Sequence, residues 1–369
     1  MKAPSVRPKA PAKCGFDLVS LGEVMLRLDP GDKRIRTARV FEVWEGGGEY
    51  NVARALACCF GLRSAVVTAL ADNEIGRLVE GLVRAGGVST EHIVWLPERS
   101  AAGITRNGLN FTERGFGVRG ALGVSDRSHT AAAQLTPADF DWDRLFNDIG
   151  VRWLHTGGIF AAISEAAAEV ARTAVAGAAT AGTITSFDLN FRPSLWPGPN
   201  GAARARAVND SIASQVDVLL GNEEDFTAGL GLTVRGLPHD LSSLDVAAYQ
   251  EMLAAAAERY PNVSVVAVTL RTVHSASRND WAAVAWSRTE GFAQSTPRQD
   301  LEIYDRVGGG DSFASGLIYA LMDGRPLVDA VEIGAAHGAL AMTTPGDGSM
   351  ATKDEILRLA AGGTARVRR

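Results

Sequence analysis

The sequence predicts an α/β fold in which a mostly parallel sheet is covered by helices on both faces. Along most of the chain, short apolar or β-branched runs alternate with Ala-rich stretches of helical periodicity. This order is typical of parallel strands joined by crossover helices. Two polar stretches punctuated by glycine interrupt the alternation and predict a small accessory sheet beside the main one.

The predicted elements begin near Phe16, where FDLVSLGEVMLRL (16–28) is interpreted as one strand. NVARALACCFG (51–61) is predicted to be a crossover helix that leads to the strand SAVVTAL (64–70). Helical stretches such as AEVARTAVAGAATAG separate four further predicted strands, which are VRWLHTGG, TITSFDLN, VDVLLGNEEDF and VSVVAVTL.

The two stretches that break this rhythm are residues 29–45 and 101–128. We expect them to supply the strands of a lid that closes over a ligand and excludes water. Residues 1–15 are rich in Pro, Lys and Ala and are predicted to be a flexible tail. We predict one folded domain over residues 16–362 and a short tail over residues 363–369.

Composition excludes several classes of partner. Apolar residues make up 46% of the chain and charged residues 21%, which is compatible with a sizeable core. The formal net charge of −5 gives no overall attraction for nucleic acid. No apolar run is long enough to cross a membrane, and the start MKAPSVRPKAPAK lacks the apolar segment of a secretory signal. These features predict a cytoplasmic protein whose partner is a small molecule.

The distribution of lysine removes further mechanisms. Lysine occurs only at positions 2, 9, 13, 33 and 353, so none lies between residues 34 and 352. A Schiff-base lysine and the phosphate-binding lysines of P-loop proteins and protein kinases need an ammonium group within the folded core. A bound phosphate must therefore be held by arginine, by backbone N–H groups and by metal.

The segment from Tyr304 to Gly316 carries the clearest chemical signal. Three glycines, Gly308, Gly309 and Gly310, precede a helix whose Phe313 and residues 317 and 321 form one apolar face. Bare amides at a helix N-terminus, together with the helix dipole, form an anion-binding hole. Asp311 in the first turn could accept a proton from a substrate hydroxyl. The alternative is an aspartate that caps a helix behind a Gly-rich turn.

Asp305-x-x-Gly-Gly-Gly-Asp311-x-Phe-x-x-Gly resembles the C-terminal signature of the ribokinase/fructokinase (PfkB) family of carbohydrate kinases. In that family the equivalent aspartate is the catalytic base and the glycines form the anion hole. The segment from Glu45 to Ala53 is similar to the N-terminal Gly-Gly-x-x-x-Asn-x-Ala motif of the family, which contacts the sugar. The resemblance extends from about Phe16 to about Leu359. It implies a ribokinase-like three-layer sandwich with a small β-sheet lid.

The resemblance also assigns roles to individual residues. The catalytic set is Asp311 with Gly308, Gly309 and Gly310. The substrate set is Gly47, Gly48, Asn51, Arg127 and Arg192. The nucleotide set is Asn222, Thr269, Arg271, Gly308, Gly310 and His337, and Glu224 is expected to organise a metal indirectly, through water. The expected cofactors are ATP and Mg²⁺, with a monovalent cation left open. A homodimer joined through the lids is also expected.

Within the family, SFDLNFRPSLW (186–196) is similar to a stretch of the 2-keto-3-deoxygluconate kinases. Asp126-Arg127 falls where those enzymes place a Tyr-Arg pair that binds the keto acid. An arginine fork matches a carboxylate with two parallel hydrogen bonds, which suits an acidic sugar. Asp126 departs from this pattern, and residues 271–280 replace the Gly-rich nucleotide turn of the family. Two alternatives remain: a kinase for another ketohexose or pentose, and a catalytically weak sugar sensor with the same fold.

Overall fold

The computed structural model describes residues 6–100, 103–232 and 246–363. The strands in this part of the chain are β1 (Phe16–Leu21), β2 (Met25–Asp29), β3 (Glu42–Gly46), β4 (Ser64–Asp72), β5 (Ser89–Pro97), β6 (Arg99–Ser100), β7 (Gly103–Ile104), β8 (Gly108–Glu113), β9 (Leu122–Asp126), β10 (Val151–Gly157), β11 (Ile184–Asp188), β12 (Val218–Gly221), β13 (Val265–Ser275), β14 (Arg278–Ser287), β15 (Gly291–Gln294) and β16 (Arg298–Glu302). The α-helices are α1 (Gly48–Cys58), α2 (Glu74–Ala85), α3 (Gly158–Ile163), α4 (Glu165–Thr180), α5 (Gly201–Ala213), α6 (Val246–Arg259), α7 (Gly309–Met322), α8 (Leu327–Ala341) and α9 (Lys353–Ala360).

The central sheet has the strand order β15-β14-β13-β12-β11-β10-β1-β4-β5, and β16 pairs with β14. The strands from β13 to β5 in this order run parallel to one another, and β14, β15 and β16 form an antiparallel edge. The predicted mostly parallel sheet is therefore confirmed. Because β1, β10, β11, β12 and β13 are parallel, their carboxyl ends meet at one edge, where ligands of open α/β sheets bind.

Helices cover both faces of this sheet and form two hydrophobic cores. One core joins the sheet to α1, α2, α7, α8 and α9, and the other joins it to α4, α5 and α6. The predicted apolar face of α7 is buried at Phe313, Leu317 and Leu321. The three-layer arrangement predicted from the sequence is thus confirmed. Among the described helices, none combines the length and the apolar character needed to cross a lipid bilayer.

The prediction of a single strand over residues 16–28 is wrong. The chain leaves the central sheet after β1, passes Gly22 and enters a second sheet as β2. Gly22 lies against the side chain of Glu49, since a Cβ at this position would come within 2.4 Å of Glu49 Oε2. Both strands are almost wholly buried, so their common apolar pattern does not reveal the break between them.

The second sheet has the order β3-β2-β8-β9. Its strands β3, β8 and β9 lie in or next to the two polar stretches from which we predicted a lid, whereas β2 begins before them. Val43, Leu28, Phe111 and Val124 occupy one row across the sheet by their pairing. Val43 and Val124 are exposed, so one face of this sheet presents apolar side chains.

Part of the segment that we predicted as a flexible tail makes contacts with the domain. Val6 is buried in the core on the α7 side of the sheet. Lys9 Nζ donates to the carbonyl of Phe146 at 3.1 Å and to Thr183 Oγ1 at 3.1 Å. The Pro-rich sequence around Val6 and Lys9 has no pattern that predicts these contacts. Residues 1–5 and 364–369 of the predicted tails lie outside the described residues, as do residues 101 and 102 of the lid stretch.

The packing of the N-terminal segment leads to a stability prediction. Val6→Ala should lower the free energy of unfolding by about 1–2 kcal/mol, because it removes two buried methyl groups. The measurement is the urea midpoint of unfolding, with Val40→Ala as the matched control. Val40 is 77% exposed, so its replacement should change the free energy by less than about 0.5 kcal/mol. Equal effects of the two substitutions would show that Val6 is not packed in solution.

Candidate active site

The carboxyl ends of the central strands meet the first turns of α1 and α7, which pack on each other. Gly47 and Gly48 begin α1, and Gly308 is the residue before α7. Asp188 ends β11, so it lies at the same edge of the sheet. This arrangement brings together residues that are far apart in the sequence.

The turn into α7 requires glycine at position 308. Gly308 has a φ of 79°, in the left-handed region, and a Cβ there would lie 2.0 Å from the carbonyl oxygen of Asp347. A Cβ on Gly310 would meet open space. Within the described ranges, the amides of Gly309 and Gly310 donate no hydrogen bond to the protein. The first turn of α7 therefore has the free N–H groups of an anion hole.

Asp311 is half-buried in this first turn, where the Nδ2 of Asn51 donates to its Oδ2 at 2.7 Å. Gly48 lies against it, because a Cβ at Gly48 would be 3.5 Å from Asp311 Oδ1 and 3.4 Å from the Nδ2 of Asn190. Burial, assisted by the charge of Asp188, raises the pKa of Asp311 to about 7 against the opposing hydrogen bond from Asn51. A carboxylate with this pKa is suited to accept a proton near neutral pH.

Arg127, which is predicted to bind the substrate, is half-buried and has donors without hydrogen-bond partners among the described residues. Arg127 Nη1 lies 3.5 Å from Glu23 Oε2, too far for a good hydrogen bond. The buried Nε and Nη1 of Arg127 and both carboxyl oxygens of Glu23 find no hydrogen-bond partner among the described residues. Asp126 pairs with Arg106 at 2.8 Å and does not neutralise its neighbour Arg127. Buried polar atoms without partners are typical of a site that a polar ligand completes.

Three more acids lie beneath this site, and sequence reasoning did not assign a role to any of them. Glu49 is almost fully buried, and burial raises its pKa to about 8. Burial together with the charge of Asp188 raises the pKa of Asp225 to about 7, and burial also raises the pKa of Asp188. Raised pKa values of this kind are common among the carboxyl groups of functional sites, where a nearby positive charge would favour the ionised form.

Two hydrogen bonds join Asn222 and Asp225 directly after β12. The Oδ2 of Asp225 accepts from the amide of Asn222 at 2.7 Å, and the Oδ1 of Asn222 accepts from the amide of Asp225 at 3.1 Å. Asp225 Oδ1 also accepts from the amide of Phe191 at 2.6 Å, which ties this loop to the loop after β11. Glu224 is exposed, so the buried acid of this segment is its neighbour Asp225.

A cavity of about 430 Å³ lies beside the turn into α7 and is lined by Arg114, Arg271 and Arg306. Burial, together with the charges of Arg306 and Arg192, lowers the pKa of Arg271. In the part of the chain that the structure describes, no carboxylate pairs with Arg271 or Arg306. Arg114 pairs with Asp29 at 3.4 Å, so Arg271 and Arg306 are the guanidinium groups that this cavity offers to a polyanion.

One wall of this cavity is the segment of residues 114–121 between β8 and β9, here called the arm. The amide of Ala276 donates to the carbonyl of Gly117 at 2.9 Å, and the amide of Gly117 donates to Ser277 Oγ at 3.1 Å. The arm therefore reaches from the small sheet to the turn between β13 and β14. Residues 271–280, where the sequence lacks a Gly-rich turn, form this β-hairpin.

His337, for which we predicted a contact with the nucleotide, is enclosed in the core, and its nucleotide role stays a prediction. This residue lies in α8 with no exposed surface, its Nδ1 lies 3.0 Å from Ser315 Oγ, and its ring packs edge-on against Phe60. Burial lowers the pKa of His337 to about 3. It is a neutral core residue because its side of α8 faces α7. Thr269 lies in the middle of β13, directly after the residues that pair with β12 and two residues before Arg271.

Comparisons with known proteins decide the family. Residues 16–354 match the pfkB family of carbohydrate kinases. The chain belongs to this family. It is 31% identical to a 2-dehydro-3-deoxygalactonokinase of Haloferax volcanii over 354 residues, which cover 96% of this chain and 99% of the relative. The predicted family and phosphotransferase activity are therefore confirmed.

Solved structures confirm the ribokinase-like fold of this carbohydrate kinase. A crystal structure of 2-dehydro-3-deoxygluconokinase from Thermotoga maritima matches with a TM-score of 0.84 and 35% identity, over 94% of this chain and 100% of that one. A PfkB family carbohydrate kinase from Listeria grayi matches with a TM-score of 0.81 and 26% identity, over 93% and 99% of the two chains.

The site contains residues that sequence reasoning missed, and their signals differ. Asp188 and Asn190 stand in the quoted stretch 186–196, where a polar pair directly after an apolar strand marks a carboxyl end. Glu23 lies inside the apolar run 16–28, where an acid is a candidate for function, whereas Glu49 lies in the Gly-rich segment before the predicted helix 51–61. Among the described residues, no group of three or more His, Cys, Asp or Glu could hold a metal ion unaided.

The fit of Gly308 against Asp347 leads to a prediction for the kinase. Gly308→Ala should lower kcat by about a hundredfold, because the new methyl group displaces the amides of the anion hole. Steady-state phosphorylation at saturating substrates measures this effect. Gly81→Ala is the control, since a Cβ on Gly81 in the middle of α2 meets open space and alanine favours helix. An unchanged kcat in Gly308→Ala would contradict the assignment of the anion hole.

Proposed function

We propose that this carbohydrate kinase transfers the γ-phosphoryl group of ATP to a hydroxyl of a 2-keto-3-deoxy sugar acid, with 2-keto-3-deoxygluconate as the preferred substrate. The observation that carries the proposal is the half-buried Arg127, whose buried Nε and Nη1 have no hydrogen-bond partner among the described residues. The names of the relatives from Haloferax volcanii and Thermotoga maritima, which act on 2-dehydro-3-deoxy sugar acids, support the same substrate class.

In the proposed reaction Asp311 accepts the proton of the substrate hydroxyl. The hydroxyl oxygen forms a bond to the γ-phosphorus as the bond from that phosphorus to the bridging oxygen of ADP breaks. The amides of Gly308, Gly309 and Gly310 stabilise charge on the transferring group. Asn51 holds the carboxylate of Asp311 in place through its hydrogen bond. Gly47 and Gly48 let the sugar approach the backbone at the start of α1.

The arginines of the site divide between the two substrates. Arg271 and Arg306 face the cavity beside α7 and are proposed to hold the phosphates of the nucleotide, together with Asn222 after β12 and Thr269 on β13. Arg192 acts on Asp188, Asp225 and Asp311 by its charge, so we place it between the sugar and the transferring phosphoryl group. Positive charge at this position favours the transition state.

Magnesium fits the acidic end of the site. Mg²⁺ usually binds through one or two carboxylates, water and the phosphates of its nucleotide. We move the indirect role from Glu224, which is exposed, to the buried Asp225 and the half-buried Asp188. When bound there, Mg²⁺ supplies charge neutralisation for the phosphates. A monovalent cation stays a prediction without support in the structure.

The apolar row of Val43, Leu28, Phe111 and Val124 on the small sheet supports the proposed homodimer. A second copy of this sheet would cover the exposed Val43 and Val124, and exposed apolar patches commonly mark such interfaces. A cytoplasmic location, the absence of nucleic-acid and membrane partners, and a single kinase domain over residues 16–362 stay predictions.

A kinase for a neutral ketohexose or pentose is the second candidate. One observation favours it: Glu23 lies 3.5 Å from Arg127, and a charged Glu23 would weaken the attraction of Arg127 for a substrate carboxylate. Burial raises the pKa of Glu23, which reduces this opposition. A catalytically weak sugar sensor has no comparable support, because Asp311 and the anion hole are intact.

Replacement of the base gives the direct test of the mechanism. Asp311→Asn should lower kcat at least about a hundredfold and leave ATP affinity within about threefold. For the wild-type kinase, kcat/KM should fall about tenfold per pH unit below pH 7, because the raised pKa leaves Asp311 protonated there. Asp323→Asn at the other end of α7 is the control and should retain wild-type rates. Full activity of Asp311→Asn would refute the assignment.

A substrate panel separates the two candidate functions. With 2-keto-3-deoxygluconate as acceptor, Arg127→Gln should raise KM about tenfold to hundredfold through loss of a charged hydrogen bond, and fructose or ribose should be affected little. ADP release in a coupled assay gives kcat and KM for each sugar. The neighbouring Arg106→Gln, which loses only a surface ion pair, serves as the control. Faster turnover of a neutral sugar by the wild-type kinase would favour the second candidate.

A further inference from the structure

Arg27 stands at the centre of a buried charge cluster outside the residues assigned above. Its side chain is 1% exposed and lies on β2 of the small sheet. Nη2 donates to Asp29 Oδ2 at 2.8 Å and also to Asp305, and Nη1 donates to Asp347 Oδ1 at 2.6 Å. One guanidinium therefore joins three carboxylates from three separate segments of the chain.

Two of these carboxylates belong to the loops that frame the anion hole. Asp305 Oδ1 accepts from the amide of Val307 at 3.1 Å, so its side chain sets the turn that leads into Gly308. The carbonyl of Asp347 lies against Gly308, where a Cβ would approach it to 2.0 Å. The loops are also joined directly, because the amides of Tyr304 and Asp305 both donate to the carbonyl of Met342.

Asp347 connects the cluster to the sugar-binding segment as well. A Cβ on Gly46 would lie 2.2 Å from Asp347 Oδ2, so the end of β3 rests on this carboxylate. The next residues, Gly47 and Gly48, begin α1 beside Asp311. Any shift of Asp347 therefore displaces both the anion hole and the backbone that approaches the sugar.

We propose that Arg27 is a positioning residue for phosphoryl transfer: it holds Asp305 and Asp347, and through them fixes the anion hole at Gly308 relative to the sugar-binding segment. This inference rests on the proposed function of Gly308 and Asp311. Arg27 touches neither substrate nor the reacting atoms in this arrangement. It holds the two loops at one fixed distance from each other, because its planar charged group donates to a carboxylate of each loop.

The cluster also fixes the root of the small sheet. Arg27 lies in the middle of β2, opposite Trp44 of β3 and Asn110 of β8. Two charged hydrogen bonds from Arg27, to Asp305 and Asp347, therefore bind β2 to the two loops, whereas the third, to Asp29, stays within β2.

The experiment compares Arg27→Ala with Arg152→Ala. Arg152 is also a buried arginine paired with an aspartate, Asp17, but it lies at the amino end of β10, away from the site. Loss of either side chain should lower the melting temperature. Only Arg27→Ala should lower kcat, by about tenfold to a hundredfold for a displacement of the reacting groups, with KM for both substrates within about threefold.

Two further measurements distinguish positioning from general destabilisation. Guanidinium chloride at about 10–50 mM should restore part of the kcat of Arg27→Ala by filling the vacated position, and it should leave Arg152→Ala unchanged. Asp347→Asn, a replacement of equal shape, should also lower kcat while the protein stays folded. This variant keeps the test decisive even if Arg27→Ala does not fold.

Each outcome bears on the proposal. A folded Arg27→Ala with wild-type kcat, or equal losses of kcat in Arg27→Ala and Arg152→Ala, overturns the positioning role and leaves the proposed kinase reaction intact. A wild-type kcat in the Asp347→Asn variant overturns the positioning role as well. If the wild-type protein phosphorylates no sugar in the panel, the proposed function fails and this inference fails with it.

Discussion

The accumulation of buried carboxyl groups at one end of a parallel sheet is the constraint on which the site depends. Asp188, Asp225, Asp311 and Glu49 share this region, and burial raises the pKa of each. Acids so close together in a medium of low dielectric constant stay charged only when positive charge is supplied. The core has no lysine to supply it. Arginines, the first turn of α7 and the incoming metal–nucleotide complex are the sources that remain.

This charge balance explains why the binding groups come from so many segments. An arginine fork needs room and a fixed direction, so each arginine is presented by a different loop or strand end. Arg127 follows β9, Arg192 follows β11, and Arg271 lies on β13. The parallel sheet makes this possible because it delivers the ends of consecutive strands to the same edge. The small sheet adds Arg127 and closes the cavity from the other side.

The sequence predicted those parts of the fold and site that rest on local patterns. Strand–helix alternation predicted the central sheet, and the run of three glycines before Asp311 marked the start of α7, where the structure leaves amides free. The rest depends on tertiary contacts. The break at Gly22 depends on Glu49, the burial of Val6 depends on a distant core, and the burial of His337 depends on which face of α8 meets α7, which a single residue does not reveal. Asp225 and Glu224 are neighbours whose burial a sequence does not reveal.

The hydrogen bond from Arg27 to Asp347 spans 320 residues of the chain. A contact of this range forms late, because the whole intervening chain must first be ordered. During synthesis the strand that carries Arg27 leaves the ribosome long before the loop that carries Asp347. A nascent or truncated chain therefore cannot shape the phosphate-binding turn, and competence for chemistry arises only when the last loop has closed onto the second strand.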